Sequence, residues 1–136
     1  ILTGCGGFID ISQNAKKVVF CGSFAVKSQQ EITEEGLEIS HPGKVNKFIN
    51  NVEQITFSSE YALENGQEVL YVTERALFQL TPKGLILKEI ASGVDLQKDV
   101  LDMMDFMPII EGPIKTYDAN IFKYCKLGLL QQEVKI

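Results

Sequence analysis

Residues 3–22 run Thr3-Gly4-Cys5-Gly6-Gly7-Phe8-Ile9-Asp10-Ile11-Ser12-Gln13-Asn14-Ala15-Lys16-Lys17-Val18-Val19-Phe20-Cys21-Gly22. Three signals follow one another there. The glycines of Thr3-Gly4-Cys5-Gly6-Gly7 mark a turn, because glycine reaches backbone conformations closed to other residues. Phe8, Ile9, Ile11 and Ala15 then line one side of a short helix from about Gly7 to Asn14. Lys16 and Lys17 lead into Val18-Val19-Phe20-Cys21, whose continuous apolar character predicts a strand covered on both faces. Loop, helix and strand in that order point to a mixed α/β domain.

Further along, the signals favour strands. Glu34-Glu35-Gly36 reads as a hairpin turn between Glu31-Ile32-Thr33 and Leu37-Glu38-Ile39, and His41-Pro42-Gly43-Lys44 as a second turn. Residues 25–50 are therefore expected to form an exposed β-ribbon. Gln54-Ile55-Thr56-Phe57 reads as a strand, Ser58 to Leu63 as a helical turn, and Asn65-Gly66 as a tight turn before the strand Val69-Leu70-Tyr71-Val72-Thr73. Ala76-Leu77-Phe78-Gln79-Leu80 and Leu85-Ile86-Leu87-Lys88-Glu89-Ile90 flank Pro82-Lys83-Gly84 and predict an antiparallel hairpin. The clearest helix lies over 95–104. Leu96, Val100, Leu101 and Met104 fall on one side, Gln97, Lys98, Asp99 and Asp102 on the other. Asp95 is its expected N-cap, and Asp105 and Pro108 end it. Ile121, Phe122 and Leu129–Leu130 predict a last helix or strand. No repeat, low-complexity segment or linker divides the chain.

Composition bounds what such a domain can do. The chain has 136 residues, a net charge of −5, 45% hydrophobic and 23% charged residues. A chain of this mass buries about two-thirds of its unfolded surface, enough for one core. No apolar run reaches the roughly 20 residues that span a bilayer, so no membrane partner is expected. The acidic balance argues against nucleic acid, which needs clustered Lys and Arg. Cys5, Cys21 and Cys125 make no CxxC pair, and one histidine, His41, completes no zinc site with them. A reduced, cytoplasmic protein without metal or secretory signal is expected. Because the chain opens on Ile1, it reads as a piece of something longer.

Several residues could carry chemistry. Gly4, Gly6 and Gly7 would let backbone N–H groups converge on an oxyanion or a phosphate; the plain alternative is a turn that redirects the chain. Cys5 lies inside that loop, as a reactive thiol or, preferably, a small apolar filler. Cys21, on a strand expected to be buried, should pack. Glu64-Asn65-Gly66 could present a carboxylate nucleophile, but turn chemistry accounts for it fully. His41 reads as a surface-turn histidine. Asp99, Asp102 and Asp105 read as a solvated helix face, and Lys16-Lys17 as solvent-facing unless an anion sits beside the glycine loop.

The residues 3–22 quoted above resemble a segment of the family I CoA-transferases, more narrowly the acetate/propionate (short-chain acyl) type. Val52-Glu53-Gln54-Ile55-Thr56-Phe57, Val69 to Phe78, Gly93 to Leu101 and Phe106-Met107-Pro108-Ile109-Ile110 continue the resemblance. It implies that residues 1–136 are the C-terminal portion of such an enzyme, one lobe of an α/β/α fold with a mixed sheet and flanking helices. Coenzyme A is implied as substrate, not as a covalently bound cofactor. An acyl-CoA and a short carboxylic acid are the implied partners, in acyl-CoA, short-chain fatty acid or ketone-body metabolism, with a homo-oligomeric parent. In the family a glutamate attacks the thioester and becomes an acyl anhydride and then a glutamyl-CoA thioester. That glutamate lies upstream of the Gly-Cys-Gly-Gly segment, so no catalytic residue is expected here and the fragment alone should be inactive. Gly4, Cys5, Gly6 and Gly7 are implied as an oxyanion and CoA-binding loop. An apolar patch is expected where the upstream half would dock. The alternative is a non-catalytic CoA-binding or structural subunit.

Overall fold

The computed structural model describes residues 4–123. Thr3, Cys125 and Leu129–Leu130, which entered the sequence reading, lie outside that range. Helix α1 (Phe8–Asn14) leads through two residues into β1 (Lys17–Cys21). Two short pieces, β2 (Ala25–Val26) and β5 (Val45–Asn46), pair antiparallel and bracket a ribbon of β3 (Gln29–Thr33) and β4 (Gly36–His41). Helix α2 (Ser59–Glu64) precedes β6 (Glu68–Val72), β7 (Ala76–Thr81) and β8 (Gly84–Ile90), and β9 (Lys115–Thr116) closes the order. The five-stranded sheet runs β1-β6-β7-β8-β9, with β1 parallel to β6, β9 parallel to β8, and the rest antiparallel. This is the mixed α/β architecture with few helices that the sequence predicts.

The core sits on one face of the sheet. Phe24, Phe48 and Phe78 form an aromatic cluster with centroids 4.9–6.5 Å apart, closed by Leu87, Val100 and Met104. Arg75 is wholly buried inside it. Its guanidinium donates to Asp99 O (2.9 Å) and Pro42 O (2.6 Å), lies over the Phe24 ring, and stands 3.4 Å from Glu74 Oε1. That last approach attracts but is too poorly aligned to be a hydrogen bond, leaving Glu74 Oε1 and Arg75 Nε unpaired among the described residues. The other carboxylate oxygen of Glu74 accepts from Phe24 N at 2.8 Å. One arginine thus ties the β4–β5 connection, the segment after β8 and the sheet together.

Four expectations are corrected. First, β1 is not covered on both faces: it forms the edge of the sheet, Val19 is 45% exposed and Cys21 is exposed, so Cys21 does not pack. An apolar run reports a strand's own preference for burial and does not supply the element that would cover it. Second, Gln54–Phe57 is irregular. Among the described residues no strand pairs with it, and Phe57 is held by its ring packing on Phe20 instead of by a ladder. Third, the helix over 95–104 is a wide turn over Leu96–Val100 followed by a 3₁₀ turn over Leu101–Met103. Fourth, Asp99 is buried, not solvated: its Oδ2 accepts from Asp95 N and its carbonyl holds Arg75. The Asp95 cap is as expected, its Oδ1 accepting from Lys98 N at 2.8 Å.

Candidate functional site

The site is built at the end of β1 and β6 toward which α1 begins. Only Ala15 and Lys16 separate α1 from β1, and the Phe8 ring lies 6.1 Å from that of Phe20, the penultimate residue of β1. The helix therefore folds back along the strand, and the glycine loop lies at the C-terminal ends of the two parallel strands. Buried Gln67 anchors the other end of α1, its Nε2 donating to the carbonyls of Ser12 and Ala15. Open parallel α/β units commonly place ligands beyond the carboxyl ends of their strands.

The loop itself is open. Gly4, Cys5, Gly6 and Gly7 are all exposed. A Cβ built at Gly4 or Gly6 meets nothing within 4 Å, and Gly6 holds φ +54°, the left-handed region that favours glycine. Among the described residues the space at Gly4 is therefore free, so nothing in their packing requires the absence of a side chain there. Cys5 fills no apolar gap, contrary to expectation, because its side chain is in solvent. Two carbonyls of the turn are used by the helix: Cys5 O accepts from Phe8 N (3.1 Å) and Gly7 O from Ile11 N (3.0 Å).

Beside the loop lies a cleft of about 670 Å³. Register pairs Phe20 with Tyr71, so both side chains share one face of the sheet. Their rings stack at 5.3 Å, and Phe57 meets Phe20 edge-on at 5.1 Å. These three rings form the floor. The irregular segment leading to α2 supplies the rim, with Ile49, Val52 and Ile55 (37, 55 and 76% exposed) and the side chains of Gln54 and Thr56. Burial raises the Tyr71 hydroxyl above its ordinary pKa, so the phenol stays protonated at neutral pH. Sequence reasoning named none of these as site residues. Phe20, Phe57 and Tyr71 read as strand residues; the parallel register brings Phe20 and Tyr71 together, and the irregular segment before α2 adds Phe57.

The other candidates fall elsewhere. Glu64 is exposed at the last turn of α2, just before β6 begins. It therefore sits at the opposite end of the strands from Gly4–Gly7, about 15 Å along a five-residue strand. Gly66 (φ +66°) ends that helix, its N–H donating to Leu63 O, so Asn65-Gly66 is a helix terminus and not a hairpin turn. Lys17 pairs with Glu68 at 3.0 Å, also at the far end, and does not approach the glycine loop. His41 accepts from Gly43 N through Nδ1, a local turn contact. Among the described residues no group of three His, Cys, Asp or Glu side chains could hold a metal ion, and no helix is long and apolar enough to cross a membrane.

No protein-family model matches the chain. Individual proteins do. It is 52% identical over 121 residues to a caffeate CoA-transferase of Acetobacterium woodii, covering 89% of this chain and 23% of that protein. It is 49% identical over 133 residues to an acetate CoA-transferase of Escherichia coli, covering 97% and 25%. Two solved structures of an Escherichia coli acyl-CoA transferase superpose well. One, described as a thioester complex with CoA, gives a TM-score of 0.85 at 51% identity over 89% of this chain. The apoenzyme gives 0.87 at 50% identity over 91%. Each covers 24% of the solved chain. The chain thus spans about a quarter of the length of the relatives it matches, and the resemblance read from residues 3–22 and the segments after them is borne out.

Proposed function

We propose that this chain, as a segment of an acyl-CoA transferase, forms one wall of a site where CoA passes from an acyl-CoA to a carboxylic acid. The supporting observation is the combination of about half identity along nearly the whole chain with coverage of only a quarter of the relative. The nucleophile is then a glutamate carried by sequence outside these 136 residues. Glu64, the carboxylate weighed above as a nucleophile, lies at the far end of the strands from Gly4–Gly7, which agrees with that assignment. The related proteins are named for different acids, acetate and caffeate, so we extend to this chain the class, a carboxylic acid, and not one member of it.

The chemistry proposed is carboxylate exchange. The glutamate attacks the thioester carbonyl, the C–S bond breaks, and CoA leaves as thiolate from a mixed anhydride. The thiolate then attacks the glutamyl carbonyl, its C–O bond to the acyl group breaks, and the donor acid departs, leaving a glutamyl-CoA thioester. The acceptor carboxylate runs both steps in reverse, so no water is consumed, and a site that excludes water protects both intermediates. Each attack develops an oxyanion, and fixed backbone N–H groups are the donors that stabilise it most cheaply. Gly4, Cys5, Gly6 and Gly7 are the loop we assign to that role and to the approach of CoA. The Cys5 thiol takes no part in the chemistry.

Gly4→Val tests the assignment in the full-length protein. The new side chain enters space the fold leaves empty, so stability should shift by no more than about 0.5 kcal/mol, the usual range for surface substitutions. Transfer from acetyl-CoA to propionate should fall at least tenfold. Unaltered transfer would remove the loop from the site.

A further inference from the structure

Resting on the transferase reading, we propose that the cleft floored by Phe20, Phe57 and Tyr71 is the acyl-group pocket, and that it favours apolar acyl groups bulkier than acetyl. Its volume of about 670 Å³ lies within the range of pockets that enclose whole small ligands and far exceeds the need of a methyl group. The floor is three aromatic rings, a surface that rewards planar or extended hydrocarbon. The rim leaves Ile55 76% and Val52 55% exposed beside those rings, apolar surface that an acyl chain would cover.

Charge separates this role from recognition of the rest of CoA. Among the described residues Glu60 is the one charged residue of the lining. A cleft with a carboxylate and no Lys or Arg does not suit the phosphates of CoA. The Tyr71 hydroxyl makes no hydrogen bond within the described residues and can serve a polar substituent on the acyl group. Placement agrees as well. The cleft and the glycine loop share the C-terminal end of β1, joined through the Phe8–Phe20 contact. A thioester carbonyl held at Gly4–Gly7 would send its acyl group toward these rings.

The test compares kcat/KM for phenylpropanoyl-CoA and acetyl-CoA as donors to one acceptor, in the full-length protein and in its Ile55→Asp and Phe57→Ala variants. Ile55 is exposed, so its variant folds whatever Phe57→Ala does. The unaltered protein should use both donors. Ile55→Asp should lower the phenylpropanoyl-to-acetyl ratio at least tenfold, within the range a hydrophobic pocket controls. An unchanged ratio, or a proportional loss with both donors as expected of a pantetheine channel, would overturn the pocket. Use of acetyl-CoA but not phenylpropanoyl-CoA by the unaltered protein would also overturn it, leaving the transferase reading intact. Use of neither donor would overturn both.

Discussion

Tyr117 shows what a single half-buried polar residue asks of its surroundings. Its hydroxyl donates to Thr73 O at 3.0 Å. Burial, and then the negative charges of Glu89 and Glu74, push its pKa well above the ordinary 10.0. The folded state therefore holds the phenolic proton more tightly than the unfolded chain. The stability contributed by this group is complete below about pH 10 and is lost as pH rises beyond it. Tyr117→Phe should cost about 1 kcal/mol at neutral pH, the net worth of one hydrogen bond, and should flatten the fall in stability above pH 10. Urea unfolding at pH 7 and at pH 10 to 11 measures both; an equally steep fall in the variant would contradict the assignment. At this scale sequence was a partial guide. The Asp95 cap and the Gly66 turn were legible because their chemistry is local. The burial of Arg75 and Asp99 was not, since the guanidinium is satisfied by carbonyls more than twenty residues away and Asp99 supplies one of them.

At the scale of elements, the β3–β4 ribbon shows how an exposed structure is held. Much of it is in solvent, with Ile32 63% exposed. Its turn end docks on the loop after β8: Leu37 N donates to Ser92 O at 2.8 Å. Gly36 makes that approach possible. It holds φ +134°, and a Cβ there would lie 2.2 Å from Ser92 O; Gly93 answers with a Cβ position 2.5 Å from Leu37 O. Two backbones meet where neither tolerates a side chain. Gly36→Ala should cost at least about 2 kcal/mol, from conformational strain and a backbone clash together. Thermal unfolding checks the size. Hydrogen exchange should show faster exchange at Leu37, and retained protection there would contradict the docking. The hairpins at Glu34-Glu35 and Pro82-Lys83 were legible because turn residues announce themselves. The strand reading of residues 54–57 failed because alternation gives a segment a face without giving it a partner.

The whole molecule carries a sheet whose core lies on one face and whose edge strand β1 has one neighbour among the described residues. Ile11 (75%) and Val19 (45%) stand exposed on α1 and β1, the kind of apolar surface expected where more of an enzyme would dock. The sequence could announce the family, because residues 3–22 carry a long ordered match. It could not show that Glu64 and the glycine loop lie at opposite ends of the parallel strands, since that depends on α1 and α2 both running back along their strands. Nor could it show the ring-floored cleft, which needs both the β1–β6 register and the path of the irregular segment that carries Phe57.

CoA transfer from acetyl-CoA to propionate, assayed with the 136-residue chain alone and with the full-length protein side by side, tests the central claim most directly. The account predicts turnover by the full-length protein, none by the chain alone, and no loss in full-length Glu64→Gln. Turnover by the chain alone, abolished by Glu64→Gln, would contradict it and place the nucleophile within these residues.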